Sequence, residues 1–190
     1  MPAYDLRGIK VATYTNNSGT VTYSNVQTIG DAMNVNLSLR RAEGRLYAES
    51  TLAEFMPKVI GGTISIGVKY IPDAAQKILF GATEKTRTVS SKTATGLEFS
   101  AKDETPYVGV AFYAPAKVDG AQKYRCVFVK RALFGAPDMV FQTMGESITF
   151  QTPTTVGEFM ADHSTSQGIL ETALVDTETE ATAWVAAVLA

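Results

Sequence analysis

Apolar and polar residues alternate along much of the chain, and a period of two is typical of half-buried β-strands. Residues 33–40 give the clearest alternation, because successive side chains on a strand face opposite sides of the sheet. The apolar positions of this segment are Met33, Val35, Leu37 and Leu39, and its polar positions are Asn34, Asn36, Ser38 and Arg40. The pattern therefore predicts a strand with one face toward a core and one polar face.

Similar runs predict more strands, and turn residues join several of them into hairpins. The runs lie at residues 10–14, 21–23, 64–70, 107–113, 123–130 and 147–152. Residues 16–19 and the pair Asp119-Gly120 are turn-formers that tolerate a positive φ, which suits tight hairpins between the flanking runs. We therefore predict a mainly β fold, a β-sandwich or partial barrel, formed by residues 1–190 as a single domain.

Two helices complete the prediction. A short flanking helix is indicated by Pro72 and Asp73 at its start and Gly81 at its end. Near the C-terminus, Thr177 and Glu180 have capping-box spacing. The residues that follow at helical period, with Trp184 as the core anchor, are Ala181, Trp184, Val185, Val188 and Leu189. We predict that this stripe packs on the sheet; the alternative is that it binds a partner.

Two segments fit neither pattern. Residues 49–62 predict an irregular loop, yet Leu52, Phe55 and Met56 give it more apolar surface than a solvated loop carries. Residues 83–105 are rich in Ser, Thr and Lys and predict either a mobile loop or a weak, exposed hairpin, of which we favour the mobile loop. Both segments are predicted assembly loops, because each needs a partner to become ordered or covered.

Charge is almost balanced overall, with 17 basic and 19 acidic residues, but it is unevenly distributed along the chain. All basic residues lie at or before Arg131, and residues 132–190 contain only acids. One interpretation is that folding brings the two segments together and cancels the asymmetry. The other is that Arg40, Glu178 and Glu180 belong to complementary surfaces that meet between subunits.

The sequence offers little for catalysis or ligand binding. Cys126 is the only cysteine and His163 the only histidine, so a disulfide within the chain and a zinc cluster are excluded. Cys126 lies in a predicted strand and His163 in a polar loop, which argues against a nucleophile-base pair. No phosphate-binding glycine motif is present, and the longest apolar runs are far shorter than the roughly 20 residues of a membrane helix. We predict a non-enzymatic protein without metal, cofactor or membrane partner.

Several collinear motifs resemble the major tail protein family of long-tailed bacteriophages. They are RLYAE at residues 45–49, GGTI at 61–64, DETPYVGV at 103–110, GESITFQTPT at 145–154 and DTETEATAW at 176–184. The motifs occur in the same order from near Tyr4 to the C-terminus. No single motif is diagnostic, and the resemblance rests on their shared order.

The resemblance implies a tail tube subunit, a β-sandwich that forms stacked hexameric rings around a channel for genome DNA. It implies a location in the virion after synthesis in the host cytoplasm. The implied partners are copies of this chain, the tape measure protein, the baseplate or distal tail proteins and the tail terminator. The alternative is another ring-forming virion component, a tail terminator or a capsid decoration protein.

A channel that conducts DNA should not bind it, and basic side chains bind phosphates tightly because they release counterions. On this criterion Asn34, Asn36 and Ser38 form the candidate lumen face. Their other possible environment is bulk solvent. The candidate contacts between subunits are Arg40, Leu52, Phe55, Met56, Glu178 and Glu180.

Overall fold

The computed structural model describes residues 4–48, 50–139, 143 and 152–190, and within them the chain is mainly β, as predicted. Most of the predicted strand at residues 147–152 lies outside the described residues. The described elements are β1 (Arg7–Asn17), β2 (Thr20–Thr28), β3 (Ala32–Ala48), β4 (Thr51–Val68), α1 (Asp73–Phe80), β5 (Thr83–Val89), β6 (Lys92–Glu98), β7 (Val108–Val118), β8 (Ala121–Phe134), β9 (Thr154–Met160), β10 (Leu170–Val175) and α2 (Glu178–Val188).

Eight strands form one antiparallel sheet in the order β2-β1-β7-β8-β9-β4-β3, and β10 also pairs with β8. Strand β8 is long enough to change partners: residues 124–129 pair with β10 and residues 132–134 pair with β9. Strands β5 and β6 form a separate two-stranded sheet. The large sheet therefore branches along β8.

The main core lies between distant strands of this sheet. Ile9 and Val11 of β1 share one buried cluster with Ile64 and Ile66 of β4, although β7, β8 and β9 separate these strands in the sheet. The sheet must therefore fold over on itself, which gives packing of the β-sandwich type. Helix α1 covers this core through Ala75, Leu79 and Phe80.

A second core lies on the other face of β1, β7 and β8, where α2 packs. Strand alternation supplies both cores: in β8, Val127 and Val129 belong to the first, and Cys126 and Phe128 to the second. The buried residues of this second core are Ala12, Ala111, Tyr113, Cys126, Phe128, Ala181, Val185 and Leu189. The predicted packing of the C-terminal stripe on the sheet is confirmed.

Local signals placed the turns and helix ends correctly. Ser18 and Gly19 both have a positive φ in the β1–β2 turn, and Asp119 and Gly120 do so in the β7–β8 turn. Helix α1 ends at Gly81 with φ of 72°. Helix α2 begins after Thr177, with the predicted reciprocal capping box to Glu180.

The predicted loop at residues 49–62 is wrong, because almost all of it belongs to the 18-residue strand β4, which pairs with β3. Its described residues before Gly61 are exposed on both faces, so no core imposed an alternating pattern on them. Pro57 is tolerated because β9 pairs only with residues 61–67 of β4, which leaves one edge of the strand open at that point.

Residues 83–105 contain a hairpin rather than a long loop. Strands β5 and β6 pair from Thr83 with Glu98 to Val89 with Lys92, and Ser90 and Ser91 form the turn with positive φ. Nearly every side chain on this hairpin is exposed. The exposed-hairpin alternative is therefore the correct one, and its mobility stays a prediction.

Candidate functional site

The most prominent surface feature is a hairpin that extends beyond the sheet. Residues 41–59 of β3 and β4, here called the projecting hairpin, pair only with each other among the described residues. Every side chain described in this segment is exposed. A two-stranded ribbon that contacts nothing else is marginally stable, so the projecting hairpin is suited to being covered by another surface.

Both faces of the projecting hairpin carry exposed apolar side chains. Directly opposed residues share a face, so Phe55 lies with Arg45 on one face and Met56 with Gly44 on the other. The guanidinium of Arg45 lies 5.6 Å from the Phe55 ring centroid. Met56 is 72% exposed. The large apolar side chains exposed on the hairpin are Leu46, Tyr47, Phe55, Met56 and Val59.

Of the predicted contact residues, Phe55 and Met56 are therefore both available to a partner on this hairpin. Leu52 lies in β4 opposite Tyr47, and its side chain lies outside the described part of the structure. The root of the hairpin is fixed by close packing of β4 on its neighbours. A Cβ at Gly62 would lie 2.1 Å from the carbonyl oxygen of Ser38, so only glycine fits there.

The predicted polar positions of β3 belong to a larger surface formed by three strands, here called the polar face. The pairing places Ser38 opposite Thr63, and Thr63 opposite Glu158, and the neighbouring positions repeat this arrangement. The polar face comprises Asn34, Asn36 and Ser38 of β3, Thr63, Ser65 and Gly67 of β4, and Thr154, Val156 and Glu158 of β9. Glu158 is its only ionisable residue, and Asn34, Asn36 and Ser38 are all exposed.

The apolar positions of β3 are only partly covered. Val35 and Leu37 pack against the main core as the alternation predicts. Met33 and Leu39 differ from that prediction and are 56% and 44% exposed. A register shift between Ala32 and Asn34 turns Met33 outward, and Leu39 lies where β3 leaves the core.

The charged residues predicted to join subunits have partners in their own chain. Arg40 contacts Glu158 at 3.1 Å, and both side chains are exposed. Glu178 accepts hydrogen bonds from Arg7 at 2.9 Å and from the Tyr113 hydroxyl at 3.0 Å. The hydrogen bond from Arg7, then that from Tyr113, lowers the pKa of Glu178 below its ordinary value.

Glu180 is also engaged, since its carboxylate accepts from the backbone N–H groups of Asp176 and Thr177 at the start of α2. Two more acids of the final third pair with earlier bases: Asp176 with Lys123 at 2.8 Å, and Asp162 with Lys130 at 3.7 Å. Four acids of the final third thus pair with bases of the earlier segment within one chain, which favours the first of the two interpretations.

Trp184 packs against the second core but is only partly buried. The fully buried anchors of α2 are Ala181, Val185 and Leu189. Trp184 is therefore a contributor to the helix-sheet contact, and part of its ring remains available at the surface.

One arrangement has no local signal in the sequence. Lys130 and Arg131 lie at a register shift between β7 and β8, where β8 changes partner from β10 to β9. Lys130 contacts Asp162, and Arg131 Nη1 lies 2.7 Å from His163 Nε2. Residues 161–168, here called the 161–168 loop, therefore attach at the branch point of the sheet. The β-bulge that orients Lys130 and Arg131 depends on how distant strands pair, so the sequence pattern could not predict it.

Cys126 is fully buried in the second core, and burial raises the pKa of its thiol. Among the described residues no group of three or more His, Cys, Asp or Glu side chains could hold a metal ion. Within the same ranges, neither helix has the length and apolar character needed to cross a bilayer.

The chain matches no known protein-family model, and no curated protein matches it in sequence.

Proposed function

We propose that this chain is a structural, non-enzymatic subunit that polymerises as stacked hexameric rings into the tail tube of a long-tailed bacteriophage. The observation that carries the proposal is the projecting hairpin, whose two faces expose apolar side chains away from either core. Burying a methionine or phenylalanine side chain is worth about 1.5 to 3 kcal/mol, so covering this hairpin would drive association.

The position of the family-like motifs adds support. The first four residues of RLYAE, 45–48, lie at the end of β3 in the projecting hairpin, and GGTI at 61–64 lies at its root in β4. One of the five motifs that resemble a tail protein therefore lies on the surface that is suited to a partner, and a second adjoins it. Most of the motif at residues 145–154 lies outside the described residues.

The sheet edges provide a second kind of contact. Strands β2 and β3 end the order of the large sheet, so each leaves a row of backbone groups without a strand neighbour among the described residues. The two edge strands differ, so the β2 edge of one copy could pair with the β3 edge of the next in a head-to-tail arrangement. Such an arrangement closes into a ring when the rotation that relates neighbouring copies divides a full turn.

Under this proposal the polar face lines the channel. Its side chains are mostly uncharged, and its one acid, Glu158, is paired with Arg40, the base that lies at its end. Such a surface would let DNA pass without holding its phosphates. The partners would be further copies of this chain together with tape measure, baseplate or distal tail, and tail terminator proteins, within the virion.

Concentration-dependent assembly tests the proposal. The purified chain should form tubes or stacks of six-fold rings on concentration, seen by negative-stain electron microscopy and by sedimentation velocity. A chain that stays monomeric even with tape measure and baseplate proteins would overturn the proposal. Closed rings that never stack would favour the alternative of a tail terminator or capsid decoration protein.

A further inference from the structure

The 161–168 loop is attached to the sheet by two consecutive residues that contact two consecutive bases of β8. Asp162 is 4% exposed and lies 3.7 Å from Lys130 Nζ. Its other carboxylate oxygen accepts from the backbone N–H and the hydroxyl of Ser164. His163 follows at once and lies against Arg131. The contact between Asp162 and Lys130 is an ion pair, whereas the contact between His163 and Arg131 includes no carboxylate.

The Arg131 contact requires an unprotonated nitrogen on the imidazole. A guanidinium has five N–H donors and no acceptor, and it stays charged at all ordinary pH values. At 2.7 Å from Arg131 Nη1, Nε2 of His163 must therefore accept the hydrogen bond. The ring is neutral in this arrangement, and its proton resides on Nδ1.

The protein atoms that the described structure places beside the two ring nitrogens are both hydrogen-bond donors. On the other side of His163, Asn16 places its amide nitrogen 3.4 Å from Nδ1. The Asn16 amide is fixed in this orientation because its oxygen accepts from the Gly19 N–H at 3.0 Å. Protonation changes the contact at Nε2: the hydrogen bond from Arg131 is replaced by an N–H group and a positive charge directed at the guanidinium.

Arg131 itself cannot move aside easily. It is 9% exposed, and its guanidinium lies 3.9 Å from the Tyr107 ring centroid and 5.6 Å from that of Tyr14. The Tyr14 hydroxyl also accepts the backbone N–H of His163 at 3.0 Å. The Nε atom of Arg131 is buried without a hydrogen-bond partner in the described structure. His163 is the exposed member of the pair, so a repulsion between them would displace the loop.

We propose that His163 is a pH-sensitive latch, which attaches the 161–168 loop to the branch point of the sheet when neutral and releases it when protonated. The titratable and charged groups around it come from every element that packs there. They are Tyr14 of β1, Tyr23 of β2, Tyr107 before β7, Lys130 and Arg131 of β8, Asp162 of the loop and Glu171 of β10.

Neither acid of that set removes the repulsion. Asp162 is engaged by Lys130 and Ser164, and Glu171 lines a groove together with these three residues. Histidine is the side chain that changes charge near physiological pH, so the latch is to be tested between pH 7.5 and pH 5. The inference concerns one folded chain and does not depend on the proposed assembly.

Hydrogen exchange of the loop amides, expressed as protection factors, tests the latch. The reporters are the N–H groups of Asp162, His163 and Gln167, which donate to Gly168, Tyr14 and Ser164. If protonation is possible only in the released loop, protection should fall by up to about 30-fold between pH 7.5 and pH 5. Amides in the β7–β8 pairing, such as Val110 and Val127, should keep their protection and so exclude global unfolding.

His163→Gln is the matched variant, because its side-chain oxygen can accept from Arg131 but does not titrate in this range. Its loop protection should be the same at pH 7.5 and pH 5. Equal protection at both pH values in the wild-type chain, or the same fall in the variant, would overturn the proposal.

A second measurement keeps the test valid should the variant fold poorly. His163 is the only histidine, so its ring ¹⁵N signals need no assignment. At pH 7.5 they should report a proton on Nδ1 and a bare Nε2, and the opposite tautomer would contradict the latch.

Discussion

Arg7 and Glu178 are 171 positions apart in the sequence, yet Arg7 Nη1 donates a hydrogen bond to Glu178 Oε1 at 2.9 Å. The same oxygen accepts from Tyr113, and Arg7 also contacts Asp5 at 2.7 Å. The start of β1 and the first turn of α2 are thereby fastened to each other. Glu178 thus has a role within the monomer whether or not subunits assemble.

This network predicts a pH-dependent stability. Because Arg7 and Tyr113 lower the pKa of Glu178 in the folded chain, the carboxylate contributes stability at and above its ordinary pKa of 4.5. That contribution is lost as the pH falls through the lower folded value. In Glu178→Gln the free energy of unfolding should therefore decrease less than in the wild type between pH 6 and pH 3, measured by urea denaturation. Equal losses in the variant and the wild type would show that the Glu178 network contributes nothing to the pH dependence of stability.

The helix-sheet contact predicts unequal costs along α2. Val185 is 1% exposed, so Val185→Ala should lower the free energy of unfolding of the monomer by about 2 kcal/mol. Trp184→Ala should cost about 2 to 3 kcal/mol, below the larger values for wholly buried aromatics, because Trp184 is partly exposed. Ala186→Ser, on the exposed side of the helix, should change stability by less than about 0.5 kcal/mol.

Thermal and urea denaturation of the monomer measure these values. If Trp184→Ala leaves monomer stability unchanged but abolishes assembly, Trp184 belongs to an interface and not to the core.

The projecting hairpin should matter for assembly and not for folding. Met56→Ser should leave the free energy of unfolding within about 0.5 kcal/mol of wild type, because its side chain is 72% exposed. Phe55→Ser should cost up to about 1 kcal/mol, because its ring also lies against the Arg45 guanidinium. Each should raise the concentration needed for assembly at least tenfold, since burial of such a side chain is worth more than about 1.4 kcal/mol.

Tyr70→Ser is the matched control, because Tyr70 is 54% exposed and lies just beyond the opposite end of β4. It should assemble as the wild type does, as measured by sedimentation. An equal assembly defect in this control would indicate a general effect of surface polarity and would show that the hairpin has no specific part in assembly.

The β5–β6 hairpin should exchange its amide hydrogens rapidly in the free subunit. Its strands form a sheet of only two, and nearly all its side chains are exposed, so opening requires little loss of packing. Amides in the β7–β8 pairing should be strongly protected under the same conditions. If the hairpin joins subunits, its protection should rise on assembly, whereas equal protection in both forms would give it no part in stacking.

Much of the local structure was predictable from short-range signals. The turn at Asp119-Gly120, the end of α1 at Gly81 and the capping box between Thr177 and Glu180 all form where the sequence indicates them. These features depend on φ preferences and on hydrogen bonds within a few residues, so neighbouring side chains are sufficient to specify them. The alternation along β3 likewise placed Val35 and Leu37 inward.

What the sequence by itself determined, then, is a mainly β chain with a C-terminal helix whose apolar stripe packs inward. Only the tertiary structure decided that residues 51–59 continue a strand, because a ribbon exposed on both faces carries no periodic pattern. Only it decided that Glu178 contacts Arg7 and that Arg131 contacts His163. Such contacts depend on the pairing and bulges of strands far apart in the chain, and the energy that selects those pairings comes from burying both cores at once.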